Sequence, residues 1–77
     1  MRTRARIRRF IVDELLDERP VGDPLAQDML DSLALEQLVA FCQEEFGVSF
    51  DDADLVAENF ESLGAVAALV DRVQRGG

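Results

Sequence analysis

The sequence predicts an all-α domain whose order is helix, long loop, helix, short helix, helix. Apolar residues recur at helical spacing in separate stretches, and no segment alternates apolar and polar residues as a half-buried strand would. Pro20, Gly22 and Pro24 interrupt the pattern after the first stretch. A chain of 77 residues is expected to form one domain, 1–77, around one core. There is no internal repeat and no low-complexity segment.

The first helix is expected from about Thr3 to Asp17, with Ile7, Ile11 and Leu15 four residues apart and Phe10 widening the stripe. The segment from Asp17 to Asp31 reads as a loop, long for so small a domain. Leu25, Met29 and Leu30 give it apolar residues with which to pack on the body. The second helix is expected from Ser32 to Phe46, with a stripe of Leu35, Leu38, Val39, Cys42 and Phe46. Gly47 is its C-terminal stop, and Asp31 stands where a carboxylate favours the positive end of the helix dipole. Val48 and Phe50 should point inward from the turn after Gly47. A short third helix is expected around Ala53 to Glu58, and a last one from about Ser62 to Arg72. The last carries Leu63, Val66, Leu69, Val70 and Val73 on one side, and Arg72 and Arg75 suit its negative end. Gly76 and Gly77 read as a frayed tail.

Charge narrows the function. The formal net charge is −8, and every one of the 8 basic residues is Arg. Arg2, Arg4, Arg6, Arg8 and Arg9 open the chain, whereas all 16 carboxylates lie between Asp13 and Asp71 with Arg19 as their sole basic neighbour in sequence. A body of that sign repels nucleic acid and anionic membrane and speeds encounter with basic protein patches. The plainer account is that acidic residues keep a small protein dispersed. Cys42 is the single cysteine, so no intramolecular disulfide can form and no oxidising compartment is needed. The apolar run Phe10-Ile11-Val12 is too short for a signal sequence or a membrane span. The Arg-rich start has the look of an organelle presequence, but Asp13, Glu14, Asp17 and Glu18 oppose that, and the expected location is the cytoplasm.

The chain carries no His and no Lys, which removes Ser-His and Cys-His nucleophile pairs, Schiff bases and a phosphate-cradling lysine. A bundle this small offers little enclosed pocket for acid–base work by its carboxylates, so no catalytic residue is assigned. Asp51, Asp52 and Asp54 lack the central Gly of a calcium loop and read as the opening of the short helix, so no metal site is expected. Cys42 lies on an apolar stripe and reads as a small core residue.

Ser32 remains. At a helix start, ahead of the buried stripe, its hydroxyl should be exposed, and helix N-terminal amides tolerate a phosphodiester anion. With no base in the chain the hydroxyl cannot activate itself, so Ser32 would be the substrate of another protein. The competing account is plain capping of the helix by Ser32 or Asp31.

The wider string bears on that choice. Asp31-Ser32-Leu33, Leu38-Val39, Glu44-Glu45-Phe46-Gly47-Val48, Asn59-Phe60 and Ser62-Leu63, with a first helix over Ile7 to Leu15, resemble the acyl carrier protein family along nearly the whole chain. The resemblance implies a four-helix bundle with three longer helices, one short helix and a long loop between the first two. It implies that Ser32 carries 4′-phosphopantetheine transferred from coenzyme A, with cargo held on its thiol as a thioester. Partner docking would fall on Asp31, Leu33, Glu36, Gln37, Ala40 and Glu44. The implied partners are a phosphopantetheinyl transferase, an adenylate-forming ligase or acyltransferase, and downstream synthase or tailoring enzymes. The chain would act as a monomer and not as an enzyme.

Departures from the fatty-acid carriers bear on subclass. Ala34 stands where they commonly have Asp, Gln37 at an acidic position and Ala40 at an exposed Met, and the segment from Gly47 to Phe60 is slightly long. The string Met29-Leu30-Asp31-Ser32-Leu33-Ala34-Leu35 is closer in look to discrete carriers of polyketide or nonribosomal peptide clusters and to D-alanyl carriers. That favours secondary metabolism and a small cargo, with an amino acid preferred, over fatty-acid synthesis. A rival from another class is an acidic helical adaptor without a prosthetic group.

Overall fold

The computed structural model describes residues 2–16 and 22–76. Within them the regular structure is helical and no strand occurs. Helix α1 spans Arg2–Phe10 and continues through a wider π-helical turn, Ile11–Leu15, which the amide of Leu16 closes onto the Ile11 carbonyl at 3.0 Å. The expected end at Asp17 lies outside the described residues, as do Glu18, Arg19 and Pro20. The wide turn inserts one residue into the helical repeat, so that Leu15 and Leu16 both pack against the core that holds Ile7 and Ile11.

Helix α2 spans Ser32–Phe46, as the sequence predicts. Asp31 caps its start, accepting the amide of Ala34 at 2.8 Å on Oδ1. Gly47 ends it in the left-handed region, at φ 65° and ψ 37°, where a side chain would cost about 1–2 kcal/mol. Gln43 organises the turn beyond the helix, since its carbonyl accepts from Gly47 and Val48 and its side-chain Oε1 accepts from Phe50. These bonds turn Val48 into the core and leave Phe50 half-buried, edge-on to Phe60 at 6.4 Å between ring centroids.

The short helix expected at 53–58 is instead two 3₁₀ turns, Asp52–Asp54 and Ala57–Phe60. A capping box between Asp51 and Asp54 starts the first turn, and the diversion of the Asp54 carbonyl to a side chain accompanies its end. The Asp54 carboxylate folds back on the Asp51 amide at 3.0 Å, and its carbonyl is taken by the Asn59 side chain at 2.8 Å. Leu55 and Val56 leave helical dihedrals between the turns. Helix α3 then spans Leu63–Gly76, longer at its end than expected and taking in Gly76. The Ser62 hydroxyl accepts the Ala65 amide at 3.0 Å at its start.

The core gathers Ile7 and Ile11 from the first helix and its extension, Leu38 and Cys42 from α2, and Leu63, Val66 and Val70 from α3. Leu25 and Leu30 join it from the loop, so the described part of the loop packs on the body as its apolar residues suggest. Asp23 holds that loop. Its Oδ1 accepts from Leu25 and Ala26, while its Oδ2 reaches 40 residues along the chain to the Leu63 amide at 2.8 Å. One carboxylate therefore folds the loop and also caps α3. Asp23→Ala should lower unfolding free energy by about 1–3 kcal/mol, because it leaves partly buried amides without an acceptor. Asp23→Asn, which keeps one oxygen, should lose less. Urea titrations of both variants measure the difference, and an unchanged midpoint in the alanine variant would remove this role.

Candidate functional site

The start of α2 shows which of its two candidate residues caps the helix. Asp31 is the residue with extended backbone, φ −85° and ψ −178°, and its side chain makes the capping bond. Ser32 is already inside the first helical turn and is exposed. Of the two capping candidates that the sequence leaves open, the structure selects Asp31. The Ser32 hydroxyl thus sits in solvent at the positive end of a 15-residue helix, without the capping duty that explains many serines in such places.

An apolar cleft of about 330 Å³ opens beside it, between α2 and the two 3₁₀ turns. Leu35 and Glu36 line it and lie three and four residues after Ser32, which places Ser32 one helical turn away on the same side. Leu55, Val56 and Phe60 form the opposite wall. Leu55 and Val56 are exposed, although both are large and apolar. Reading a helix over 53–58 hides this wall, and the adjacent pair Leu55-Val56 behind a cluster of aspartates was the available signal.

The docking residues suggested by resemblance are all exposed. Leu33, Glu36, Gln37, Ala40 and Glu44 follow one another at helical spacing along one side of α2, with Asp31 at its end. Leu33 is the most exposed large apolar side chain described, at 63 %. On the opposite side Leu38 and Cys42 are fully buried.

No family model matches this chain. Over 41 residues it is 42% identical to a protein of Mycoplasma genitalium named acyl carrier protein homolog. The chain is similar to an acyl carrier protein. The match covers 53% of this chain and 49% of that protein, so the chain spans about half the length of the curated relative it matches. This similarity agrees with the resemblance to the acyl carrier protein family that the sequence carries.

Cys42 is a core thiol, as its place on the stripe implies. Burial pushes it up from 9.0 to about 12. The chain has no Lys, Tyr or His, so this is the only side chain expected to change charge between pH 9 and 12. In that window the unfolded thiol ionises while the folded one stays protonated. Stability contributed by the protonated thiol is complete below pH 9 and is lost as pH rises toward about 12. Denaturation midpoints should therefore fall across this range, and Cys42→Ala should flatten the fall while lowering stability at neutral pH. A thiol reagent should label the native protein slowly and the unfolded one at once. Immediate labelling of the native chain would contradict the burial.

Proposed function

We propose that this chain is a carrier protein whose Ser32 holds 4′-phosphopantetheine as a phosphodiester. The observation that carries the proposal is the division of labour at the start of α2, where Asp31 caps and the exposed Ser32 hydroxyl does not. The amides and dipole of the first turn of α2 favour the added negative charge. The bound group supplies a thiol that holds an acyl or aminoacyl cargo as a thioester. Ser32 needs its proton removed by another protein, a transferase using coenzyme A, because the chain contains no His or Lys. The chain then acts as substrate and courier and carries no catalytic residue. A tethered cargo gains from a high effective concentration at each successive partner.

The partners proposed are that transferase, a loading enzyme and downstream biosynthetic enzymes, and the chain meets them as a monomer. The face from Leu33 to Glu44 is the proposed contact, with Asp31 at its edge. Gln37 and Ala40 lie exposed in the middle of it, leaving that stretch neutral and shallow. Such a face fits dedicated partners better than enzymes adapted to an acidic one, which supports polyketide or nonribosomal peptide metabolism and loading by an adenylate-forming ligase. Fatty-acid synthesis is the second reading, and the apolar cleft beside Ser32 is the feature in its favour, since its lining suits a hydrocarbon chain.

Intact mass gives the first test. Incubation with coenzyme A and a broad-specificity transferase should add one phosphopantetheine, and Ser32→Ala should abolish the addition while changing stability by less than about 0.5 kcal/mol. Asp31→Ala should cost about 1 kcal/mol, because it removes the cap. An unmodified wild-type chain would favour the adaptor reading. Loading separates the subclasses: formation of an aminoacyl thioester by the adenylating enzyme encoded nearest the gene supports the first reading. Malonyl loading followed by chain elongation supports the second.

Docking should weaken as salt rises, chiefly through the association rate. Glu44→Lys should slow association on the order of tenfold at low salt. Leu33→Ala should cost about 1 kcal/mol or more of binding by removing an apolar anchor. Stopped-flow association with the transferase reads both effects, and salt-independent rates would contradict the proposed face.

A further inference from the structure

A second cleft, of about 380 Å³, runs along the other flank of the proposed docking face, between α2 and the extended end of α1. Its floor is aromatic, with Phe10 and Phe41 stacked at 4.2 Å between centroids and 12° between planes. Gln37 and Ala40 belong to its wall, and Glu14 and Glu44 bring a carboxylate each from α1's extension and from α2. Both glutamates are exposed, and neither forms an ion pair among the described residues. No described arginine lines the cleft.

The chain itself demonstrates what such a combination binds. On the far side of the same aromatic stack, Arg6 is ion-paired with Glu45 and lies 5.0 Å from the centroid of the Phe46 ring. There the carboxylate and the ring are satisfied by an internal guanidinium. The Glu14–Glu44 cleft offers two carboxylates and two stacked rings with no internal cation described. A planar guanidinium matches both features, since it stacks on a ring and forks its donors to carboxylates, which an ammonium does less well.

We propose that this cleft receives an arginine side chain of a partner protein, held between Glu14 of the extension of α1 and Glu44 of α2. This rests on the carrier reading and extends its docking surface from one helix to two. Glu14 thereby becomes a determinant of which partners dock. The wide π-helical turn is what carries Glu14 alongside α2 at this level of the chain.

The test uses the apo chain and N-acetyl-arginine amide as a probe, followed by NMR at low ionic strength, with N-acetyl-citrulline amide as the neutral isostere. The arginine probe should shift the Phe10 and Phe41 ring signals and the Gln37 side-chain amide saturably, and citrulline should not. Glu14→Gln should weaken binding at least threefold, whereas Glu58→Gln, an exposed carboxylate elsewhere, should leave it unchanged. Equal effects of the two variants, shifts spread evenly over the acidic surface, or equal shifts from citrulline would overturn the proposal. Loading of Ser32, scored by intact mass on the same samples, stands apart: loading without cleft binding overturns the cleft alone, and absence of loading overturns the carrier reading.

Discussion

Burial of Leu38 and Cys42 sets the phase of α2, and the bond from the Ala34 amide to the Asp31 carboxylate fixes where that helix begins. With Leu38 and Cys42 turned into the core, Leu33, Glu36, Gln37, Ala40 and Glu44 turn out. The other end is pinned as firmly. Gly47 adopts a left-handed backbone, Gln43 gathers three amides, and Gln74 of α3 donates to the Phe46 carbonyl at 3.2 Å. The helix that bears Ser32 is thus held at both ends by named polar contacts, and its apolar stripe needs only to fill the space between.

Charge is distributed unevenly between the first helix and α2. The arginines of α1 are turned partly to local use: Arg6 on Glu45 and Phe46, Arg9 on Asp13, and Arg8 on the Gly22 carbonyl. Glu36 and Glu44 on the exposed side of α2 are left to solvent. An acidic surface of this kind accelerates encounter with basic partners and adds little to the stability of the fold, which depends on buried Ile, Leu and Val.

Long periodic stretches were legible in the sequence because helix position follows from spacing and stop signals. Both boundaries of α2 and the buried residues of α3 can be read from Asp31, Gly47 and the stripes they enclose. Ser32 stood out as a candidate through its neighbours, but whether it capped the helix was not legible, since Asp31 and Ser32 are equally good caps in composition. Three features escaped for a common reason. The π-helical turn at Ile11–Leu15, the break at Leu55-Val56 and the reach of Asp23 to Leu63 each depend on a tertiary partner or on a competing polar contact. Local propensity carries no record of such a partner, and Asp23-Pro24 alone signals a turn without naming what its second oxygen will bind.

The segment 52–60 contains no buried residue, although it forms one wall of the cleft beside Ser32. It is held by its own short turns, by the Asp54 contacts and by Phe60, which packs on the core and edge-on to Phe50, while α2 opposite is anchored in the core. Residues 52–56 place no side chain on the core and open more readily than 57–60, which Phe60 ties to it. The two walls differ in compliance. The cleft therefore has one rigid side and one that gives way first at Leu55 and Val56, so that its width can change at little cost to the helix opposite.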